Sequence, residues 1–275
     1  AGGMSVRAAV VGDPVAHSLS PRLFTAWAKE RGTELAYEAL RVTPESFEKT
    51  LSQARASGPW LGWNVTAPHK ERALALADEL DGSVHQPGAA NVLLFRDGRA
   101  VAHNTDSQGF LDAMTASGVR VFGAHAAVLG AGGAAAAVLA ALRRAGAAGT
   151  AVYNRSPARA LELARRFGAA AGGLEDAAQA LPDCDLVVNA TSAGFAGASP
   201  LPVGVRFKAG SWAVDLASRP SETPFMVQAR AGGAITLGGL GMLVRQAALT
   251  WKLFFGESLP EEAVAAAQRD LDGVP

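Results

Sequence analysis

Short apolar runs that end on glycine or polar residues recur along the first hundred residues of the chain. Val6 to Gly12 (VRAAVVG) is valine-rich and closes on glycine; Leu35 to Val42 and Trp60 to Thr66 are two more such runs. Each has the length and residue types of a buried strand. The segments between them carry helix signals. Pro21 to Arg31 has Ser20 as its N-cap and Pro21 at the first helical position, and Pro44 to Ala56 has Thr43 as its cap. Pro68 to Leu80 reads as a further helix. Ala90 to Phe95 and Arg99 to His103 flank Asp97-Gly98, which predicts a hairpin turn. Strands alternating with helices predict a mostly parallel sheet covered by helices.

From about Ala124 the chain becomes rich in alanine and glycine. Ala126 to Leu129 reads as a strand, GAGGAA (Gly130 to Ala135) follows, and Ala134 to Ala145 reads as a helix. Further strands are expected at Thr150 to Tyr153, Leu186 to Ala190, Trp212 to Leu216 and Ala234 to Leu237. Gly241 to Phe255 is a strongly apolar helical segment. No internal repeat is visible, and the alanine-rich stretch has a helix-forming composition. The fold class read from this pattern is α/β with two domains: an α/β domain with a mostly parallel sheet, and a Rossmann-like dinucleotide-binding domain.

Composition narrows the function classes. The chain has 275 residues, and at about 150 residues per domain that length fits two domains. Its 25 basic and 25 acidic residues balance, which argues against nucleic acid as the main partner. Hydrophobic residues make up 49% and charged ones 18%, enough apolar material for a buried core. Cys184, alone in the sequence, forbids an internal disulfide and reads as a small core residue. No stretch is long and apolar enough for a bilayer, and no signal-peptide pattern opens the chain. Ala1-Gly2-Gly3 ahead of Met4 reads as an expression remnant and is set aside. The expectation is a cytoplasmic protein with no membrane or nucleic-acid partner.

The glycine loop carries the first chemistry. Strand, tight turn and helix follow in order, so Gly130, Ala131, Gly132, Gly133 and Ala134 lie where a pyrophosphate meets a helix amino terminus. This is a variant of the dinucleotide fingerprint, with the third glycine replaced by Ala136 or absent. A merely tight turn is the alternative. The next strand ends at Asn154-Arg155-Ser156, with Arg159 one turn on. NAD-binding domains place a carboxylate there, whereas a guanidinium suits a 2′-phosphate, so NADP(H) is the expected cofactor. Two solvated arginines would give the same sequence.

Polar residues at strand ends are the second signal. GWNVTAPHK (62–70) puts Asn64, Thr66 and Lys70 where an apolar strand finishes. By themselves they are equally readable as turn residues and a solvated lysine. Ser18 and Ser20 could cap a helix, and Asn91 and Asp106 could form turns. Gln246 lies on one helical face with Met242, Leu249 and Leu253, so its amide needs a partner there. His17 and His69 are not spaced as metal ligands.

Taken together, HSLSP (17–21), NVTAPHK (64–70), GAANVL (88–93), NTDSQGF (104–110), GAGGAA, NRS and GLGMLVRQAA (239–248) occur in an order that resembles the shikimate dehydrogenase family. The resemblance implies a substrate domain from 4–106 completed by 241–275, and a dinucleotide domain at 107–240. It implies reversible hydride transfer between NADPH and 3-dehydroshikimate, with Lys70 and Asp106 as the catalytic pair facing a cleft between the domains and no step calling for a metal. It assigns Ser18, Ser20, Asn64, Thr66, Asn91, Gln246 and Ser218 to the substrate. It adds Thr191, Leu216, Gly239 and Met242 to the cofactor contacts. The sequence departs from the family at Ser218, where a tyrosine is usual, at Ser107 for glycine, at His69 for an aromatic and at Gly238 for an acid. Two alternatives stay open: a dehydrogenase of quinate or a related cyclic hydroxy acid, and a cofactor-binding relative with little catalysis. The partner is a small molecule, and the chain is expected to be a monomer or homodimer.

Overall fold

In a computed structural model the described residues are 6–56 and 60–272. They form two compact units: residues up to 105 with 246–267, and 106–245 with the residues from 268 on. Ala1-Gly2-Gly3 and the last three residues of the expected closing segment lie outside the described residues.

The first unit is built on β1 (Val6–Gly12), α1 (Ser20–Arg31), β2 (Leu35–Arg41), α2 (Phe47–Ala56), β3 (Trp60–Val65), α3 (Lys70–Leu76), β4 (Glu79–Leu80), β5 (Val92–Arg96) and β6 (Arg99–His103). Its sheet runs β2-β1-β3-β5-β6-β4. The β1–β2, β1–β3 and β4–β6 pairs are parallel, and the β3–β5 and β5–β6 pairs antiparallel. Asp97 (φ 51°) and Gly98 (φ 74°) make the hairpin that joins β5 to β6. On one face Ala9, Val11, Trp63 and Val65 pack with Phe47 and Leu51 of α2.

The second unit follows with α4 (Asp106–Ala116), β7 (His125–Leu129), α5 (Gly133–Arg144), β8 (Gly149–Asn154), α6 (Pro157–Phe167), β9 (Ala170–Gly173), α7 (Leu174–Ala180), β10 (Leu186–Asn189), β11 (Trp212–Asp215), α8 (Pro224–Ala231) and β12 (Ile235–Leu237). Its sheet is β12-β11-β10-β7-β8-β9, parallel throughout. This is the doubly wound dinucleotide-binding order, reversing between β7 and β10. Cys184 is buried in its core; burial pushes the thiol up to about 11. The last described elements are α9 (Leu240–Phe255) and α10 (Glu261–Asp272).

Several boundaries differ from the sequence expectation. Ser20 is the first residue of α1 rather than its cap; Leu19 holds the cap position, and the Ser18 hydroxyl accepts from the Ser20 N–H at 3.3 Å. Residues 44–46 form a turn, so α2 starts at Phe47, and the Thr43 hydroxyl meets Ser46 Oγ at 3.1 Å. The helix expected over 68–80 is only Lys70–Leu76, because Glu79 and Leu80 pair with Val101 and Ala102 of β6. Backbone pairing took those residues from a helix that local pattern alone would have continued. The third fingerprint position counts to Ala135 rather than Ala136, and Ala135 is wholly buried. The helix Asp106–Ala116 begins at Asp106 itself, which the sequence offered as a turn former. Helices α6, α7, α8 and α10 were not drawn from the pattern.

Candidate active site

The second unit gathers its expected cofactor residues along one sheet edge. Leu129, Asn189 and Asp215 are in register as the last residues of β7, β10 and β11, so the loops that follow leave the sheet side by side. Gly130 follows β7 with φ 109°; a Cβ there would lie 3.0 Å from the Ala190 carbonyl oxygen. The backbone at 190–191 thus packs directly on the turn, as only glycine permits. Gly132 caps α5 with no side-chain bond, and open space surrounds its Cα. A twelve-residue helix therefore presents its first N–H groups to a roomy loop, the arrangement a pyrophosphate needs. The residues fit a dinucleotide.

Asn154 ends β8, and its Nδ2 donates to the Ser156 carbonyl at 3.2 Å. Arg155, Ser156 and Arg159 are exposed beside it. The sites after β10 and β11 are braced from behind. Thr191 Oγ1 donates to Asn189 Oδ1 (2.7 Å), Asn189 Nδ2 to Asp215 Oδ2 (3.1 Å), and Thr223 Oγ1 to the same oxygen (2.7 Å). Asp215 Oδ1 accepts from the Ala217 N–H at 2.9 Å. Asn189, Asp215 and Thr223 are wholly buried. Of these three, only Asp215, the acid closing the apolar strand WAVD, carries a visible sequence signal. Leu216 lies against Gly239, where a Cβ would stand 2.2 Å from the Leu216 oxygen. Met242 is packed into this unit's core. Ser218 is half-buried in the loop after β11.

The first unit holds a second polar set. Asn64 pairs with Val10 and Val92 across the sheet and is 5% exposed. Its amide Nδ2 donates to Thr250 Oγ1 (3.1 Å) and its Oδ1 accepts from the Tyr37 hydroxyl (2.7 Å). Asn91 Nδ2 donates to Thr105 Oγ1 (2.8 Å) and Gln246 Oε1 (3.3 Å), while Asn91 Oδ1 accepts from the Thr105 N–H (2.7 Å). Gln246 thus finds its partners in side chains on two strand ends. Ser20, Asn64, Asn91 and Gln246 are all buried. Thr66 is half-buried, and its N–H donates to the Val11 carbonyl at 2.9 Å. Lys70 is half-buried at the start of α3. Tyr37, Thr105 and Thr250 complete this set and were not singled out from sequence. Asp106 opens α4 in the second unit and is buried.

Of the four departures from the family pattern, His69 and Ser107 have local explanations, and Gly238 and Ser218 have none. His69 is buried, stacks on Phe47 (4.5 Å, 17°) and bonds the Val42 carbonyl through Nε2 at 2.6 Å. It fills an aromatic slot, and its Nε2 must carry the proton. Ser107 Oγ donates to the Ala137 carbonyl at 2.9 Å, tying α4 to α5. Gly238 sits where a Cβ would make ordinary contacts at 3.7 Å and beyond. Nothing in the structure explains Ser218.

Family models match three segments: 10–93 by the shikimate dehydrogenase substrate binding domain, 114–196 by shikimate / quinate 5-dehydrogenase, and 239–267 by the shikimate 5′-dehydrogenase C-terminal domain. Shikimate dehydrogenase (NADP(+)) of Acidiphilium cryptum is 44% identical over 250 residues, spanning 90% of each chain. The chain belongs to the shikimate dehydrogenase family. The enzyme of that name from Symbiobacterium thermophilum is 40% identical over 97% of this chain and 95% of its own. Among solved structures, shikimate 5-dehydrogenase from Thermus thermophilus, crystallised with NADP(H) and shikimate, matches with a TM-score of 0.86. It is 40% identical over 97% of this chain and 99% of that one. Membership accounts for the Rossmann-like strand order. Among the described residues, no helix is long and apolar enough to cross a membrane.

Proposed function

We propose that this chain catalyses the reversible NADPH-dependent reduction of 3-dehydroshikimate to shikimate. The observation that carries the reading is the buried set of Ser20, Asn64, Asn91 and Gln246 in the first unit of a shikimate dehydrogenase family member. Clustered amide and hydroxyl side chains are the groups that exchange hydrogen bonds with the hydroxyls and carboxylate of a ring acid.

Within this reading, Gly130 to Ala134 hold the pyrophosphate, and Asn154, Arg155, Ser156 and Arg159 hold the 2′-phosphate. Thr191, Leu216, Gly239 and Met242 complete the cofactor contacts. When bound, NADPH supplies the hydride that the carbonyl carbon accepts. The Lys70 ammonium donates a proton to the carbonyl oxygen as negative charge develops there, and takes it back in the reverse direction. Asp106 orients that ammonium and accepts from a ring hydroxyl. Ser18 and Ser20 bind the ring carboxylate, and Asn64, Thr66, Asn91, Gln246 and Ser218 the hydroxyls. The domain assignment goes with it: 4–106 and 241–275 for the substrate, 107–240 for the dinucleotide. So do a cytoplasmic setting, in keeping with one buried thiol, and a monomeric or homodimeric state.

Oxidation of quinate or a related ring acid is the second reading. It is favoured by Ser218 where the family carries a tyrosine, since the shorter side chain leaves room for another ring substituent. A substrate panel run with both nicotinamide cofactors tests the assignment. NADPH is expected to be oxidised with 3-dehydroshikimate much faster than NADH. Faster oxidation of quinate than of shikimate would move the chain to the second reading. Tight NADPH binding without turnover of any ring acid would remove the enzymatic one.

A further inference from the structure

Tyr37 lies on β2 and has no place in the substrate or cofactor sets above. Its ring stacks on Phe24 of α1 with centroids 4.3 Å apart and planes 8° from parallel. Its hydroxyl is 2.7 Å from Asn64 Oδ1 in a buried setting. Alternation along β3 explains the meeting. Gly62 and Asn64 point to the same face, where a Cβ on Gly62 would strike Phe254 of α9 and Asn64 reaches Thr250 of α9.

The hydrogen-bond directions in this chain follow from one end. The Thr250 hydroxyl bonds the Gln246 carbonyl, one turn earlier on α9, at 3.1 Å. A carbonyl only accepts, so the single Thr250 proton is committed there. Thr250 Oγ1 can then only accept from Asn64, which puts the amide nitrogen of Asn64 on the Thr250 side. The amide oxygen must face Tyr37, and the phenol must donate to it. A phenol that donates in this way stays protonated, as burial also requires: it pushes the Tyr37 phenol well above its ordinary value.

We propose that Tyr37 is a positioning residue for the substrate site, locking Asn64 in one amide orientation so that its second Nδ2 proton is the one offered to a ring oxygen. The inference rests on the functional reading given above, in which Asn64 contacts the substrate. Without the phenol, Asn64 Oδ1 loses its donor and the amide can rotate or swing, so the ring oxygen meets a mixture of donor and acceptor. The loss falls on ring-acid binding and not on the dinucleotide.

Tyr37→Phe keeps the stack on Phe24 and removes only the hydroxyl. Its KM for shikimate is expected to rise about tenfold, as the loss of one well-aligned buried hydrogen bond would give. KM for NADP+ should stay within about twofold, and kcat should fall less than KM rises. Thr250→Val, which removes the acceptor at the other end of the amide, should shift the same KM in the same direction. A shikimate KM unchanged in both variants would overturn the proposal, as would equal rises for both substrates. A second readout does not depend on turnover. The Asn64 side-chain amide protons, followed by nitrogen-resolved NMR, should be protected from exchange in the native chain and lose protection in Tyr37→Phe. Equal protection in both would also overturn it. If the native chain fails to turn over any ring acid while this protection pattern holds, the functional reading falls and the amide lock stands.

Discussion

Lys70 is the first residue of the seven-residue helix α3, and Glu71 is the acidic residue of that turn. An ammonium there faces the positive end of the helix dipole, so helix stability does not account for it. Asp106 is the opposite case: a carboxylate in the first turn of α4 favours the helix it opens, whatever else it does. Replacing each by alanine therefore separates chemistry from folding more cleanly at Lys70. In Lys70→Ala, kcat for 3-dehydroshikimate is expected to fall by roughly 10²- to 10⁴-fold, the usual worth of a positioned general acid. Melting temperature should be little changed, and KM should move only a few-fold. A variant with near-native turnover in a steady-state NADPH assay would remove the lysine from the mechanism. His69, its neighbour, shows how far the local pattern was readable. Its spacing from His17 does not suit a metal, and only the fold brings Phe47 and the Val42 carbonyl to its ring.

Among the elements, the β7–α5 turn is tightly constrained. Gly130 combines a left-handed backbone with contact to the 190–191 peptide, so a methyl group there is strained twice over. Gly130→Ala should lose about 1–3 kcal/mol of stability by denaturant titration. NADPH affinity should weaken as well, because the turn must shift to admit the methyl group. Native-like values for both would mean that the loop tolerates displacement. The strand–turn–helix order made this element legible from GAGGAA alone, since glycine spacing reports backbone geometry directly. The brace behind it was not legible. Asn189, Asp215 and Thr223 come from three separate segments, and only the parallel register of β10 with β11 brings their side chains together. Helix ends failed for a similar reason. Glu79 and Leu80 continue a helical pattern, yet they serve as a strand because β6 offers them backbone partners.

At the scale of the whole molecule, acid sensitivity has an identifiable source. Burial lowers the pKa of His103 below its ordinary 6.5; Asp81, 3.6 Å from Nδ1, partly opposes this and the Arg96 charge adds to it. The fold therefore favours the neutral imidazole. Above pH 6.5 both folded and unfolded chains hold it neutral, and its contribution is fully present. As pH falls below 6.5 the unfolded chain takes up the proton first, so stability declines until the folded value is passed. Melting curves from about pH 7 to 5 should show the native chain losing stability more steeply than His103→Gln. Parallel curves for the two proteins would assign the acid sensitivity elsewhere. The division into two units also belongs to this scale. The residue texture changes near Ala124, whereas packing groups Asp106 and the opening residues of α9 with the second unit.

The main strands of both units, the glycine turn, the hairpin at Asp97-Gly98 and the family all followed from sequence, because periodicity and backbone-permissive residues act over a few positions. Tertiary structure alone decided which amide faces which hydroxyl. Tyr37, Asn64, Thr250 and Gln246 are separated by up to about two hundred positions, and their hydrogen bonds exist only once β2, β3 and α9 are packed. A buried polar atom must find a partner, but the identity of that partner is a property of the fold.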